Sequence, residues 1–265
     1  MNIEAGHRYG TVRLGSLLMA ASFAVLVVLG ASGPALASSS SPNSKSAARI
    51  VAEARTAMIR AGAVSAQGQG TTTLPGVGRV TIEETDYSDA TSGSQIVTMT
   101  STTGGTATLP SATTLDVAGV VSVNANAPFW TATVGMGAVT ADQVAGRWVL
   151  IPHSSPAYVP ASADLTMSSL TRDMFHASSY HQGRIQTVDG HRVIAVSYTN
   201  TGSDSGPATC FVAVGAPHLP VLVTIGGLSL HLGSWGKLRA LTVPAGAVPL
   251  PGLHSSTASG LPSVA

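Results

Sequence analysis

The chain has 265 residues, with 13 basic and 12 acidic side chains and a formal net charge of +1. Charged residues make up only 9%, against about 25% in an ordinary soluble domain, so the basic stripe of a nucleic-acid binder is absent and no such partner is expected. Threonine, serine and glycine supply the polarity instead, which suits strands with hydroxyl-lined outer faces better than salt-bridged helices.

Residues 1–37 carry the three-part layout of a secretory signal peptide. His7, Arg8 and Arg13 precede the apolar run LGSLLMAASFAVLVVLGA (14–31), and small residues at Ala35 and Ala37 mark a cleavage site before Ser38. An uncleaved membrane anchor is the alternative, because the run is at the short end for a spanning helix. Cleavage removes Glu4, Arg8 and Arg13 and leaves a formally neutral exported chain. No cysteine lies near the cleavage site, so membrane contact without a lipid anchor is the expectation. The lone thiol, Cys210, excludes an intrachain disulfide and reads as a small buried residue on a strand.

A polar linker, 38–46, leads into AARIVAEARTAMIRAG (47–62). Ile50, Val51, Ala54, Ala57, Met58 and Ala61 fall on one helical stripe, with Arg49, Glu53, Thr56 and Arg60 opposite and Gly62 placed to end the helix. Period-two alternation then appears at 79–85, 94–102 and 112–125, and again at 191–200, 208–216, 219–227, 228–235 and 237–245. Leu228, Leu230 and Leu232 share one face of their strand. Short Gly- and Pro-marked connections make neighbouring strands antiparallel, as in a meander.

Two shorter helices interrupt the strands. TADQVAG (140–146) shows a capping-box pattern, Thr140 with Gln143, and 162–175 places Met167, Leu170 and Met174 at helical spacing. The octet VNANAPFW (123–130) marks the passage from strand to helix. Asn126 is a natural N-cap, Pro128 suits the first turn, and Phe129 and Trp130 then project beside the sheet edge. These rings are either core anchors or the mouth of a concavity. The end of the chain, 247–265, is rich in Pro, Ser and Gly and reads as a disordered tail.

The sum is an α+β fold, a large twisted sheet with helices on one face. Sheets of this size curl. With its long helix after a signal peptide, VNANAPFW, QVAGRWVLIP (143–152) and a closing WGKLRALTVPAG (235–246), the chain resembles exported actinobacterial proteins of the LolA/LprG-like superfamily. That group includes periplasmic lipoprotein carriers, mycobacterial lipid-binding lipoproteins and envelope-stress sensors. The resemblance spans about 47–246, read as one domain, and lacks the cysteine that tethers many relatives. It implies a strongly curved antiparallel half-barrel of about 8–11 strands, with one long N-terminal helix and two short helices on the concave face and a cavity for acyl chains.

Catalytic signatures are missing. There is no GxSxG, HExxH, Ser-x-x-Lys or Walker loop. His176 and His181 lack a carboxylate at ligand spacing, and any triad of a serine, a histidine and Asp164, Asp173 or Asp189 is a coincidence of counting in so serine-rich a chain. Glu83 and Glu84 are adjacent on a strand and point to opposite faces. No enzymatic activity, cofactor or metal is therefore expected.

The expected function is to hold a lipid or other apolar small molecule between curved sheet and helices. Candidate lining residues are Phe129, Trp130, Met136 and Trp148 near the opening and the Leu228, Leu230, Leu232 face, with Met58 and Ile59 of the long helix secondary. The pattern does not decide which sheet face is concave. The alternative is a sensory or interaction module for another envelope protein, its cavity filled by its own side chains.

Overall fold

The computed structural model describes residues 46–74, 77–102, 108–201 and 206–250. The signal-peptide segment and nearly all of the linker lie outside them. None of the helices among the described residues is long and apolar enough to cross a membrane.

The chain opens with helix α1 (Ala47–Ala61). The Ser46 side chain accepts from the Arg49 N–H at 3.3 Å, and Gly62, at φ 74°, donates its N–H to the Met58 carbonyl at 3.2 Å. A positive φ at this cap is what glycine is suited for. Strands β1 (Ala63–Leu74), β2 (Gly78–Asp89), β3 (Ser92–Ser101), β4 (Ser111–Val117) and β5 (Val120–Ala125) follow as a meander. Helices α2 (Ala127–Thr133) and α3 (Ala138–Val144), strand β6 (Trp148–Ile151), and helices α4 (Tyr158–Ser162) and α5 (Met167–Met174) come next. A second meander, β7 (His181–Val188), β8 (His191–Asn200), β9 (Gly206–Ala213), β10 (Pro220–Ile225) and β11 (Leu228–Gly233), runs back toward the first.

The two meanders join where β1 pairs antiparallel with β11, Gly68 opposite Leu230 and Gly70 opposite Leu228. With a last short strand, β12 (Val248–Pro249), the result is one open, curved, twelve-stranded sheet in the order β12-β6-β5-β4-β3-β2-β1-β11-β10-β9-β8-β7. The half-barrel expected from the sequence is the observed architecture, and the fold is α+β.

Register settles which face is concave. One cross-strand row runs Val196, Cys210, Val223, Leu230, Gly68, Glu84, Val97, Ala112, Ala125. Its ends enter two separate cores. In one, α1 and α5 pack on β1 and β8 to β11 through Ile50, Met58, Phe175, Tyr198 and Leu232. In the other, Phe129, Trp130, Met136, Ala141 and Val144 cover β5 and β6. The middle of the row belongs to neither core. All helices therefore share the face that carries Leu228, Leu230 and Leu232, and the helical cover is thin over β1 to β3.

Several details differ from the sequence reading. The stretch 112–125 is two strands, because Ala118 and Gly119 turn the chain at φ 51° and 87°. Helix α3 starts from Gly137 with no side-chain cap; Thr140 lies inside it, and the capping box forms at Thr166 and Ser169 of α5 instead. The helix expected over 162–175 breaks into α4 and α5 around Asp164, at φ 59°. Strands β1 and β7 were not anticipated: β1 has glycines at alternate inward positions, and β7 is an edge strand with nearly every residue exposed.

Residues 237–245 are not a strand. Both edges of β11 are occupied, by β1 and β10, so the chain that follows has no neighbour to pair with. It crosses the convex side instead, where the Arg239 N–H donates to the Tyr87 hydroxyl at 2.8 Å and the Arg239 guanidinium lies 5.3 Å from the ring centre. It then reaches the far edge, where β12 (Val248–Pro249) pairs parallel with β6 and the Leu250 N–H donates to Leu150 at 3.0 Å. The expected tail from 247 onward thus begins with an ordered strand, and the remainder, 251–265, lies outside the described residues.

Gly93 on β3 provides a stringent test of how the 163–166 segment docks. A Cβ there would stand 1.6 Å from the Leu165 carbonyl oxygen, a clash with backbone that no rotamer relieves. Gly93→Ala is expected to cost more than about 3 kcal/mol in a chemical-denaturation experiment, at or beyond the upper end for overpacked sites.

Candidate functional site

The gap between the two cores holds two neighbouring cavities, both lined by Gln95. The larger, about 370 Å³, lies between β3, β4 and α2. Leu74, Val97, Met99, Leu109 and Phe129 give it an apolar wall, interrupted by Gln95, Ser111 and the four threonines Thr108, Thr114, Thr131 and Thr133. Its roof is made by the octet. Asn126 accepts from the Phe129 N–H at 3.1 Å and donates from its side-chain amide to the Leu109 carbonyl at 2.6 Å. One asparagine therefore caps α2 and fixes the 109–111 segment that leads into β4, accepting also from the Ser111 N–H at 3.1 Å.

The smaller cavity, about 80 Å³, lies over β1, β2 and β11 beneath α5 and the 164–165 turn. Leu228 and Leu230 lean across positions where β1 has no side chains. A Cβ on Gly68 would lie 2.4 Å from Leu230 Cδ2, and one on Gly70 would lie 3.2 Å from Leu228 Cδ1. Alternate glycines in a strand often mark such a close approach. The roof is pinned by side chains that take the last carbonyls of α5. Asn200 Nδ2 donates to Asp173 at 3.0 Å, the Tyr198 hydroxyl to Met174, and Tyr180 and Arg55 each to Phe175 at 2.6 Å.

Four carboxyl groups also line this small cavity: Glu84 and Asp86 from β2, Asp164 from the turn and Asp173 from α5. Gln95 Nε2 donates to Glu84 Oε1 at 2.6 Å. Burial pushes the Glu84 carboxyl up from its ordinary range. Burial and the neighbouring Glu84 charge push Asp86 up much further. Asp173 behaves differently: burial opposes its charge, but hydrogen bonding with Asp164 and the Arg172 guanidinium, 3.0 Å away, hold it below the usual value. Among the described residues, no three His, Cys, Asp or Glu side chains are grouped as metal ligands.

The nine residues expected to line a ligand site divide among several environments. Phe129 borders the large cavity, and Leu228 and Leu230 border the small one. Trp130 is fully buried, its indole N–H donating to the Ala125 carbonyl at 3.2 Å and its ring edge-on to Phe129 at 5.5 Å. Met136 is buried beside it, and Leu232 and Met58 are buried in the other core. Trp148 alternates with the inward-facing Val149, and Ile59 is 53% exposed on the outer side of α1. The aromatic pair in the octet thus splits its work, Trp130 anchoring and Phe129 lining.

Missing from the sequence reading were the Val97 and Met99 wall and the Glu84 and Asp86 pair. The second had a visible signal. Residues two apart on a strand share a face, and Glu84 and Asp86 continue the face of Val80 and Ile82. Glu83, directly adjacent, faces the other way and shares nothing with the pair.

No family model matches the chain, and no curated protein matches it. Among solved structures it is similar to LprF from Mycobacterium bovis, at 13% identity and a TM-score of 0.42, covering 76% of this chain and 97% of that one. A LolA superfamily protein from Nitrosomonas europaea is similar at 10% identity and a TM-score of 0.28, covering 75% and 96%. A putative outer membrane lipoprotein-sorting protein domain from Vibrio parahaemolyticus is similar at 10% identity and a TM-score of 0.29, covering 70% and 90%. The half-barrel is defined by this chain's own strand order.

The carboxyl pair makes stability depend on pH with a definite sign. Glu84 and Asp86 have folded-state values above their unfolded ones, so the native state holds protons more tightly than the unfolded chain. Their contribution is fully present below the ordinary carboxyl range, about pH 4. It is lost as pH rises through the raised values. Asp86→Asn should therefore raise the melting temperature at pH 8 and change it little at pH 4, which thermal melts at the two pH values would check.

Proposed function

We propose that this protein is a non-enzymatic carrier that holds an apolar ligand, such as an acyl chain, in the concavity of the half-barrel. The supporting observation is the apolar cavity of about 370 Å³ between β3, β4 and α2, a size within the usual range for small-molecule sites. Its wall of Leu74, Val97, Met99, Leu109 and Phe129 suits hydrocarbon. The driving force is removal of methylenes from water, roughly 0.8 kcal/mol for each CH₂. Affinity can therefore accumulate along a chain without any charged contact, in keeping with the absence of a catalytic signature in the sequence.

The signal-peptide layout of residues 1–37 supports a site of action outside the cytoplasmic membrane, in the cell envelope or beyond it. Ligand exchange with a membrane or with another envelope protein fits that location. The observation against the alternative reading, a sensory module with a filled interior, is the hollow of about 370 Å³ that remains between the two cores.

A homologous series of alkanols tests the carrier reading. Each added methylene should tighten binding by about fourfold until the cavity is full, as read by isothermal titration. Val97→Trp, which projects an indole into the cavity, should abolish the chain-length dependence without lowering the melting temperature by more than a few degrees. Affinity that does not vary with chain length, or that survives Val97→Trp, would sink the proposal.

A further inference from the structure

The two cavities are not independent hollows. They lie on the same cross-strand rows: Leu230, Gly68, Glu84, Val97 and Ala112 in one, and Leu232, Ala66, Asp86, Gln95 and Thr114 in the next. Gln95 stands at their boundary and lines both. One extended molecule lying along the sheet would place one end against Val97 and Met99 and the other against Glu84 and Asp86.

The small cavity combines features that a packed interior avoids. Four carboxyl groups border it, and no lysine or arginine is among its lining residues. The Asp86 carboxyl hydrogen-bonds with Glu84 and Gln95, but its Oδ1 is shielded completely and has no hydrogen-bond partner. An unsatisfied buried carboxyl oxygen is costly, and this one lies in a residue that lines a hollow. A metal ion is a poor match, because the acidic groups are not clustered as ligands among the described residues. An organic ammonium suits them better, since its N–H donors diverge toward several acceptors.

We infer that the ligand is an amphiphile with a protonated amine at its head, the ammonium held by Glu84 and Asp86 with Asp164 and Asp173 bordering the same hollow, and the hydrocarbon in the Val97 and Phe129 cavity. This rests on the carrier reading and adds the head-group chemistry. Charge-assisted hydrogen bonds in a shielded site are the strong ones, and they discriminate against a hydroxyl or carboxylate head on the same tail. The sheet presents Glu84 and Asp86, the turn presents Asp164, and α5 presents Asp173 with Arg172 beside it and His176 beyond its end. Binding an ammonium favours the ionised carboxyls, so affinity for it rises as pH rises and the bound cation displaces protons.

The test compares decylamine, decanol and decanoate, each below its aggregation concentration, by isothermal titration from about pH 5 to about pH 8. The amine stays protonated across that range. In the wild-type chain, decylamine should bind at least about tenfold more tightly than decanol at pH 8, with the ratio shrinking toward pH 5, and decanoate should bind most weakly. The Glu84→Gln, Asp86→Asn double variant should lose most of the amine-to-alcohol ratio, whereas Phe129→Ala should weaken both ligands and keep it. Should the double variant not fold, the pH dependence of the wild-type ratio decides alone. Equal affinities for amine and alcohol, a ratio that does not vary with pH, or a preference for decanoate would overturn the head-group assignment while leaving the carrier reading intact. Failure of both decanol and decylamine to bind would overturn the carrier reading itself.

Discussion

The pairing of β1 with β11 is the constraint on which the rest of the structure depends. It joins a meander from the first half of the chain to one from the second half. Helix α1, which precedes the first meander, packs with α5 on β1 and the second meander, and α2 and α3 cover the far side of the first. Once joined, the two meanders make a concave surface broader than those helices span, and the two cores form at its sides. The space between them follows from topology. Glycines 68 and 70 lie at the joint, where they let Leu228 and Leu230 fold over the sheet and keep the middle of the concave face low.

That geometry accounts for the contrast between the two cavities. Over β3 and β4, inward residues are apolar and the roof is a short helix held by Asn126, so the hollow is shaped for hydrocarbon. Over β2 the same rows carry Glu84 and Asp86, under a helix whose last carbonyls are tied down by Tyr198, Asn200, Tyr180 and Arg55. The pinning matters physically. A roof free to lift would let water reach the carboxyls and remove the burial that raises their proton affinity. A fixed roof preserves it, at a standing cost in stability above the ordinary carboxyl range.

The octet VNANAPFW shows how far a local pattern carries. Its turn chemistry was legible: an N-cap asparagine and a proline in the first turn specify a helix start wherever the chain goes next, and α2 begins there. The fates of Phe129 and Trp130 were not legible. Adjacent residues on a helix point about 100° apart, so one ring faces the core and the other the cavity, and which is which depends on where α2 docks. The same distinction explains 237–245. Its alternation is that of a strand, but alternation signals only two differing faces. Pairing requires a vacant edge, and β11 had none.

Taken alone, the sequence determined what local physics can specify: the amphipathic α1 with its glycine cap, most strand positions, the absence of catalytic signatures, and the α+β class. It also determined that Leu228, Leu230 and Leu232 share a face, because side chains alternate on any strand. Tertiary structure decided which face was concave, that Glu84 and Asp86 lie beneath α5, and that Val97 and Met99 border a hollow. Those outcomes depend on bringing together residues far apart in the chain, Val97 with Phe129, Asp86 with Asp164 and Gly70 with Leu228, which no short window of the sequence contains.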